Sequence, residues 1–283
     1  MTRIPETYIL LALFFLITLL PAQNEYVTTI HPFKTIVQPL LPNEDGVSVL
    51  LPAAASPHTF ELKPSDVRSI AACTALIIGG PNLDDWAFNT HVKHLINLQD
   101  LIPDSMRIYL DDHKQIVDPH FWTDPLTVRS MLTQLSARLC EMNPHSCAEI
   151  QERTKDFAES LKQLDDEIKI MTGAIQNRNI IISHPFFLYF IRRYGLKLVG
   201  IIEPVPGKEP GPREISRLID EGRRYAVSGV FVHGHHEERS AALVAGTLQV
   251  PLVRLDPIGT PETAPCYSDL LKFNIQRILD ATK

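Results

Sequence analysis

Three histidines and one aspartate stand out by their neighbours. They occur as Ser56-Pro57-His58, Asp118-Pro119-His120-Phe121-Trp122, Ser183-His184-Pro185 and Leu255-Asp256-Pro257. Neutral imidazole and carboxylate are donors for a divalent transition metal, and three of the first with one of the second suit tetrahedral Zn2+. Mn2+ prefers more oxygen donors and a higher coordination number, so it is the alternative. A lone histidine is more often a core or surface residue than a ligand; the set carries the argument. With 22 prolines in 283 residues, a position has a proline neighbour about 15% of the time, and all four candidates have one. Proline stiffens the backbone on either side of itself, and rigid loops suit metal ligands. A catalytic zinc keeps three protein ligands and an open water position, and no His-Glu-x-x-His segment occurs, so a zinc-dependent hydrolase is the weaker reading. A sugar or peptide receptor needs an aromatic-lined cleft, which 7% aromatic residues do not favour.

Such residues need elements to hold them. Tyr26 to Ile30, Val47 to Leu51, Ala75 to Gly79, Asn179 to Ile182, Leu196 to Ile201, Val230 to Val232 and Leu252 to Leu255 read as short buried strands. Helical stretches separate them, one opened by Pro32 and another running from Pro64 to Cys73. This alternation predicts an α/β fold of two parallel-sheet lobes. Between the lobes, Phe157, Leu161, Leu164, Ile168 and Met171 recur at helical steps with charged residues on the other faces, which implies one long linker helix. In open α/β sheets ligands bind beyond the carboxyl ends of the strands, and His58, His184 and Asp256 all follow predicted strands. The metal site is therefore expected in the cleft between the lobes.

Composition narrows the partners. Apolar residues make up 45% and charged residues 21% of the chain, which is ordinary globular usage. The net charge is −6 and no run of Lys or Arg occurs, so neither nucleic acid nor an anionic membrane surface is an expected partner. Tyr8 to Leu20 is an uncharged apolar run followed by Pro21-Ala22-Gln23, which reads as a signal peptide ending at residue 22. No cysteine stands at that junction to carry a lipid, so retention points to a periplasm, with no membrane insertion after cleavage. Cys140 and Cys147 flank the Asn143-Pro144 turn between two helical stretches; they either bridge or remain buried thiols. No CxxC occurs, which leaves a thioredoxin-like role without support.

Ser-Pro-His58-Thr-Phe-Glu-Leu-Lys-Pro-Ser-Asp-Val, Asp-Pro-His120-Phe-Trp-Thr-Asp-Pro, Ser-His184-Pro-Phe-Phe-Leu-Tyr-Phe-Ile-Arg-Arg-Tyr-Gly-Leu and Leu-Asp256-Pro-Ile-Gly occur in this order. The series resembles the motifs of the zinc/manganese-binding receptors of bacterial ABC importers, the ZnuA/TroA type, over about residues 26 to 280. The resemblance implies two lobes joined by a single helix, with His58 and His120 as ligands from the N-lobe and His184 and Asp256 from the C-lobe. It implies a non-enzymatic, monomeric solute-binding protein that delivers Zn2+, or alternatively Mn2+ or Fe2+, to the membrane permease of an ABC importer. The expected division is residues 1–22 signal peptide, 23–143 N-lobe, 144–175 linker helix and 176–283 C-lobe.

The chain departs from that pattern in three places. Only Asp111-Asp112-His113-Lys114 precedes the Asp-Pro-His motif, where zinc receptors of this type often carry a loop rich in His and acids. Ser56 stands where relatives usually have Asp or Glu. Phe231-Val-His233-Gly-His235-His236 replaces a Phe-x-Glu in the third C-lobe strand. Either His233, His235 and His236 are a secondary capture site, with His233 also able to reach the primary metal, or His235 and His236 are solvated turn residues and His233 only packs at the strand end. Because imidazoles must be deprotonated to bind, affinity is expected to fall as pH drops through about 6 to 5.

Overall fold

The computed structural model describes residues 25–42, 45–52, 55–204, 208–233 and 238–282. The segment read as a signal peptide lies outside them, as do His235 and His236. The N-lobe contains β1 (Glu25–Thr28), α1 (His31–Val37), β2 (Gly46–Val49), α2 (Pro64–Ala72), β3 (Ala75–Ile78) and β4 (Leu95–Asn97). Its four strands are parallel in the order β2-β1-β3-β4. All four residues of β3 are buried, as expected of a strand covered on both faces. Pro32 lies in the first turn of α1, where its missing N–H costs nothing. Pro64 opens α2, and Asp66 Oδ2 accepts the Lys63 N–H at 2.8 Å to close that helix start.

Two helices then run back to back: α3 (Pro125–Met142), capped by Asp124, and α4 (Cys147–Gly173). The 27 residues of α4 span about 40 Å at 1.5 Å per residue. Leu161, Leu164 and Ile168 of the predicted apolar stripe are buried, and Phe157 and Met171 pack against the same core. A disulfide joins Cys140 to Cys147 across the turn, with a Cα–Cα distance of 4.7 Å.

The C-lobe repeats the first plan with β5 (Asn179–Ile182), α5 (Leu188–Tyr194), β6 (Lys197–Ile201), α6 (Pro212–Arg224), β7 (Gly229–Val232), α7 (Glu238–Leu248), β8 (Leu252–Arg254) and α8 (Tyr267–Ala281). The strand order is β6-β5-β7-β8, again all parallel. Each sheet thus reverses its winding between its first and third strands, β1 and β3 in one lobe and β5 and β7 in the other. Such a reversal opens a crevice at the strand ends.

One hydrophobic core crosses the lobe boundary. It includes Tyr26 and Phe33 of the N-lobe, Trp122, Leu161 of α4, and Phe187, Tyr267 and Leu271 of the C-lobe. Hydrogen bonds reinforce it: Trp122 Nε1–H donates to the Pro257 carbonyl at 2.7 Å, and Tyr267 Oη–H donates to the Trp122 carbonyl at 2.7 Å. His31 Nε2 meets the Ala264 carbonyl at 2.8 Å, and Tyr189 Oη accepts the Ile108 N–H at 3.1 Å.

Candidate metal centre

His58 lies in the short 3-10 turn Pro57–Thr59 that follows β2. The loop of Gly79 to Asp84 that neighbours it is fixed by a buried carboxylate. Asp84 Oδ2 accepts the Thr29 hydroxyl at 2.7 Å and the Gly79 N–H at 2.9 Å, while Oδ1 accepts the Gly80 N–H at 2.8 Å. Gly80 adopts φ +125°, and a Cβ there would meet the Asn97 side chain at 2.5 Å, so only glycine fits this turn. The Gly79–Asp84 loop is thereby rigid.

His120 is buried and precedes a second short turn, Phe121–Thr123. Its Nδ1–H donates to Asp118 Oδ1 at 2.7 Å, and its backbone N–H reaches the same oxygen at 3.1 Å. A carboxylate on one ring nitrogen fixes the tautomer and leaves Nε2 as the lone-pair donor. Asp118 itself is fully buried.

His184 stands two residues past the end of β5. The Ser183 N–H continues the sheet by donating to the Phe231 carbonyl at 2.8 Å. His184 Nδ1 faces the Glu203 carbonyl at 3.4 Å, and Nε2 is buried with no hydrogen-bond partner. A buried polar atom without a partner needs a reason, and a metal ligand supplies one.

The three imidazoles meet. One ligand atom from each of His58, His120 and His184 lies within 4.8 Å of the others. Ring centres are 5.6 Å apart for His58 and His120, 5.6 Å for His58 and His184, and 5.5 Å for His120 and His184. Burial, with the neighbouring His120 adding to it, pushes the His58 imidazole down to about 4 and that of His184 to about 2. Both rings are therefore neutral at pH 7 and ready to donate.

Asp256 lies outside this trio. Its Oδ1 accepts the N–H groups of Ile258 at 3.1 Å and Gly259 at 2.8 Å, and its backbone is tied to Asn274 of α8 on both sides. The His233 ring centre is 6.0 Å from that of His184 and 4.8 Å from that of Phe186. Asp118 was part of a noted motif but had no assigned role. The signal was present: an acid two residues before a ligand histidine can reach back to its Nδ1.

The sequence profile of the family described as "Zinc-uptake complex component A periplasmic" matches residues 27–281. The high-affinity zinc uptake system protein ZnuA of Bacillus subtilis is 21% identical, over 90% of this chain and 86% of its own length. The manganese-binding lipoprotein MntA of Halalkalibacterium halodurans is 24% identical, over 88% of this chain and 85% of its own. A crystal structure of ZnuA superposes with a TM-score of 0.81 at 24% identity, covering 92% of this chain and all of that one. The last of these likenesses is one of fold.

Proposed function

The chain belongs to the family of the periplasmic component A of zinc-uptake complexes, and from that premise we propose that it captures Zn2+ between its lobes and releases it to a membrane ABC permease. The family is one of solute-binding transport receptors, so the site binds its cargo and performs no catalysis. The observation that carries the reading is the convergence of His58, His120 and His184 on one point. His58 and His120 come from the N-lobe and His184 from the C-lobe, so a bound ion joins both.

Neutral imidazoles are donors for zinc, whereas manganese and iron(II) sites of this kind draw more on carboxylates. The manganese-binding relative supports manganese as the second reading, with iron(II) beside it as the further alternative. A fourth position is left for a donor from the C-lobe, the sequence candidates being Asp256 and His233. Residues 1–22 act as a signal peptide, the mature receptor is a periplasmic monomer, and the lobes span residues 23–143 and 176–283 around a linker of 144–175 that contains the helix Cys147–Gly173. Among the described residues no helix is long and apolar enough to cross a membrane.

The test is the metal content of protein recovered from its native compartment, with zinc isotherms for wild type, His120→Ala and His184→Ala. One zinc per chain is expected, with at least tenfold weaker binding in each variant. Manganese or iron dominating under metal-replete growth would give the site to the second reading.

A further inference from the structure

We propose that His233 is the fourth protein ligand of the cargo metal, which makes the centre a four-imidazole site. The inference rests on the receptor reading above and names the donor set of that site. The backbone carries the first part of the argument. β5 and β7 are neighbours at the point where the C-lobe sheet reverses its winding, and Ile182 pairs with Phe231. His184 and His233 each follow two residues later. Side chains alternate faces along a strand, so residues two positions beyond a registered pair return to the same face, side by side.

Asp256 fails the same count. Val232 pairs with Arg254 in β7 and β8, and the Leu255 N–H still donates to the Val232 carbonyl at 2.8 Å. Leu255 therefore occupies the register position beside His233, and Asp256 comes one residue later, on the opposite face. Asn274 holds that backbone from α8, and the Asp256 Oδ1 is spent on the turn amides of Ile258 and Gly259. Asp256 is a positioning residue for its own loop.

Ring geometry agrees. Imidazole nitrogens at about 2.0–2.1 Å from a tetrahedral zinc place ring centres about 5 Å apart. The trio sits at 5.5 to 5.6 Å, and His233 lies 6.0 Å from His184 beside the converging ligand atoms, so it joins the shell by a movement of its loop when metal binds. Phe186, fully buried, packs edge-on against the His233 ring and holds it toward the cleft. Four nitrogen donors and no carboxylate would favour zinc strongly over manganese.

The experiment combines zinc K-edge absorption spectroscopy, which counts imidazole ligands by their outer-shell scattering, with isotherms for His233→Ala, His233→Gln and Asp256→Asn. Thermal unfolding of the metal-free proteins checks the fold, and the glutamine variant keeps the packing against Phe186. Four imidazoles in wild type, three in both His233 variants, and binding at least tenfold weaker there but within threefold in Asp256→Asn support the proposal. Three imidazoles in wild type, or a tenfold loss in Asp256→Asn with none in the His233 variants, overturns it. A wild-type chain that takes up no zinc overturns the receptor reading itself, whereas wild type that binds one zinc, weakened in His120→Ala, keeps that reading and leaves only the fourth ligand to be decided.

Discussion

Asp118 touches no metal in this reading, yet its removal should weaken binding nearly as much as loss of a ligand. The carboxylate accepts the His120 Nδ1–H at 2.7 Å, both groups are buried, and Oδ2 has no hydrogen-bond partner. A hydrogen bond to a charged group contributes about 1.5–3 kcal/mol net. Loss of a partner that orients a ligand histidine typically costs about 10- to 100-fold in metal affinity, or about 1.4–2.8 kcal/mol. The two routes agree, so Asp118→Ala should raise the zinc Kd by one to two decades. Asp118→Asn should do no better: if its amide turns NH2 toward Nδ1, the imidazole proton is driven to Nε2 and blocks the donor atom. If its carbonyl faces Nδ1, the negative charge that raises ligand basicity is gone. The assay is competition against a chromophoric zinc chelator at pH 7.5, with urea unfolding of the metal-free proteins as the check on folding. Both variants folded and within threefold of wild type would refute the argument that the tautomer of His120 is set from behind.

Burial moves the pH response away from the intrinsic histidine range. His58 and His184 stay neutral in the folded protein down to about 4 and about 2, whereas in the unfolded chain they protonate near 6.5. The unfolded state therefore takes up more protons below pH 6.5, and metal-free stability should fall from there toward pH 4, which a lower urea midpoint at pH 5 than at pH 7.5 would register. Zinc affinity should hold to a lower pH than the window of 6 to 5 expected from sequence; a Kd tenfold weaker at pH 5.5 than at 7.5 argues against this. On α4, buried Asp165 takes bonds from Arg193 Nε at 2.8 Å and Nη2 at 2.5 Å and from Lys169 at 2.7 Å. Arg193→Ala should cost about 3 kcal/mol, since breaking a buried pair costs about 3–5 and Lys169 remains, with the zinc Kd unchanged; a loss under 1 kcal/mol by urea unfolding would contradict the estimate. The shared core and the Trp122, Tyr267 and His31 hydrogen bonds tie the lobes together. Chelation should accordingly leave the radius of gyration nearly constant in solution scattering, and a change of several ångströms would count against it.

Much of this was legible because parallel strands covered on both faces read as unbroken apolar runs. Asn179-Ile-Ile-Ile182 and Ala75-Leu-Ile-Ile78 announced themselves in that way. β4 did not: Leu95-Ile-Asn97 is three residues long, with Leu95 exposed, and has no period to detect. The histidine trio was legible because each member sits beside a proline at an element boundary. Asp256 shows where such reasoning stops. The rule that ligands gather at strand ends selects an edge of the sheet, but which face a residue takes depends on register, and a one-residue slip reverses it. Register is fixed by pairing between strands far apart in sequence, so where the loops bearing His233 and Asp256 stand relative to the trio is visible only with the fold. The proximity of Cys140 and Cys147 followed from the short turn, while the choice between bridge and free thiols did not.

Lobes joined by one core leave the question of how the ion enters and leaves. His120 and His184 are buried, the first held by Asp118 and the second fixed at the end of a central strand. His58 alone of the trio is partly exposed, and it is carried by a three-residue turn. Exchange through a rigid cleft must proceed by the donor whose displacement disrupts least packing, and that donor is His58. Release is then an unlatching of one imidazole, with the remaining ligands holding the ion until a chelator or the permease takes it. His58→Ala should speed zinc loss to excess chelator in stopped flow by about tenfold or more, the weight of one direct bond, and alter the association rate much less. The same substitution at His184 removes the buried C-lobe ligand, and metal-induced thermal stabilisation should shrink more than for His58→Ala. A release rate in His58→Ala equal to that of wild type would place the gate elsewhere along the cleft.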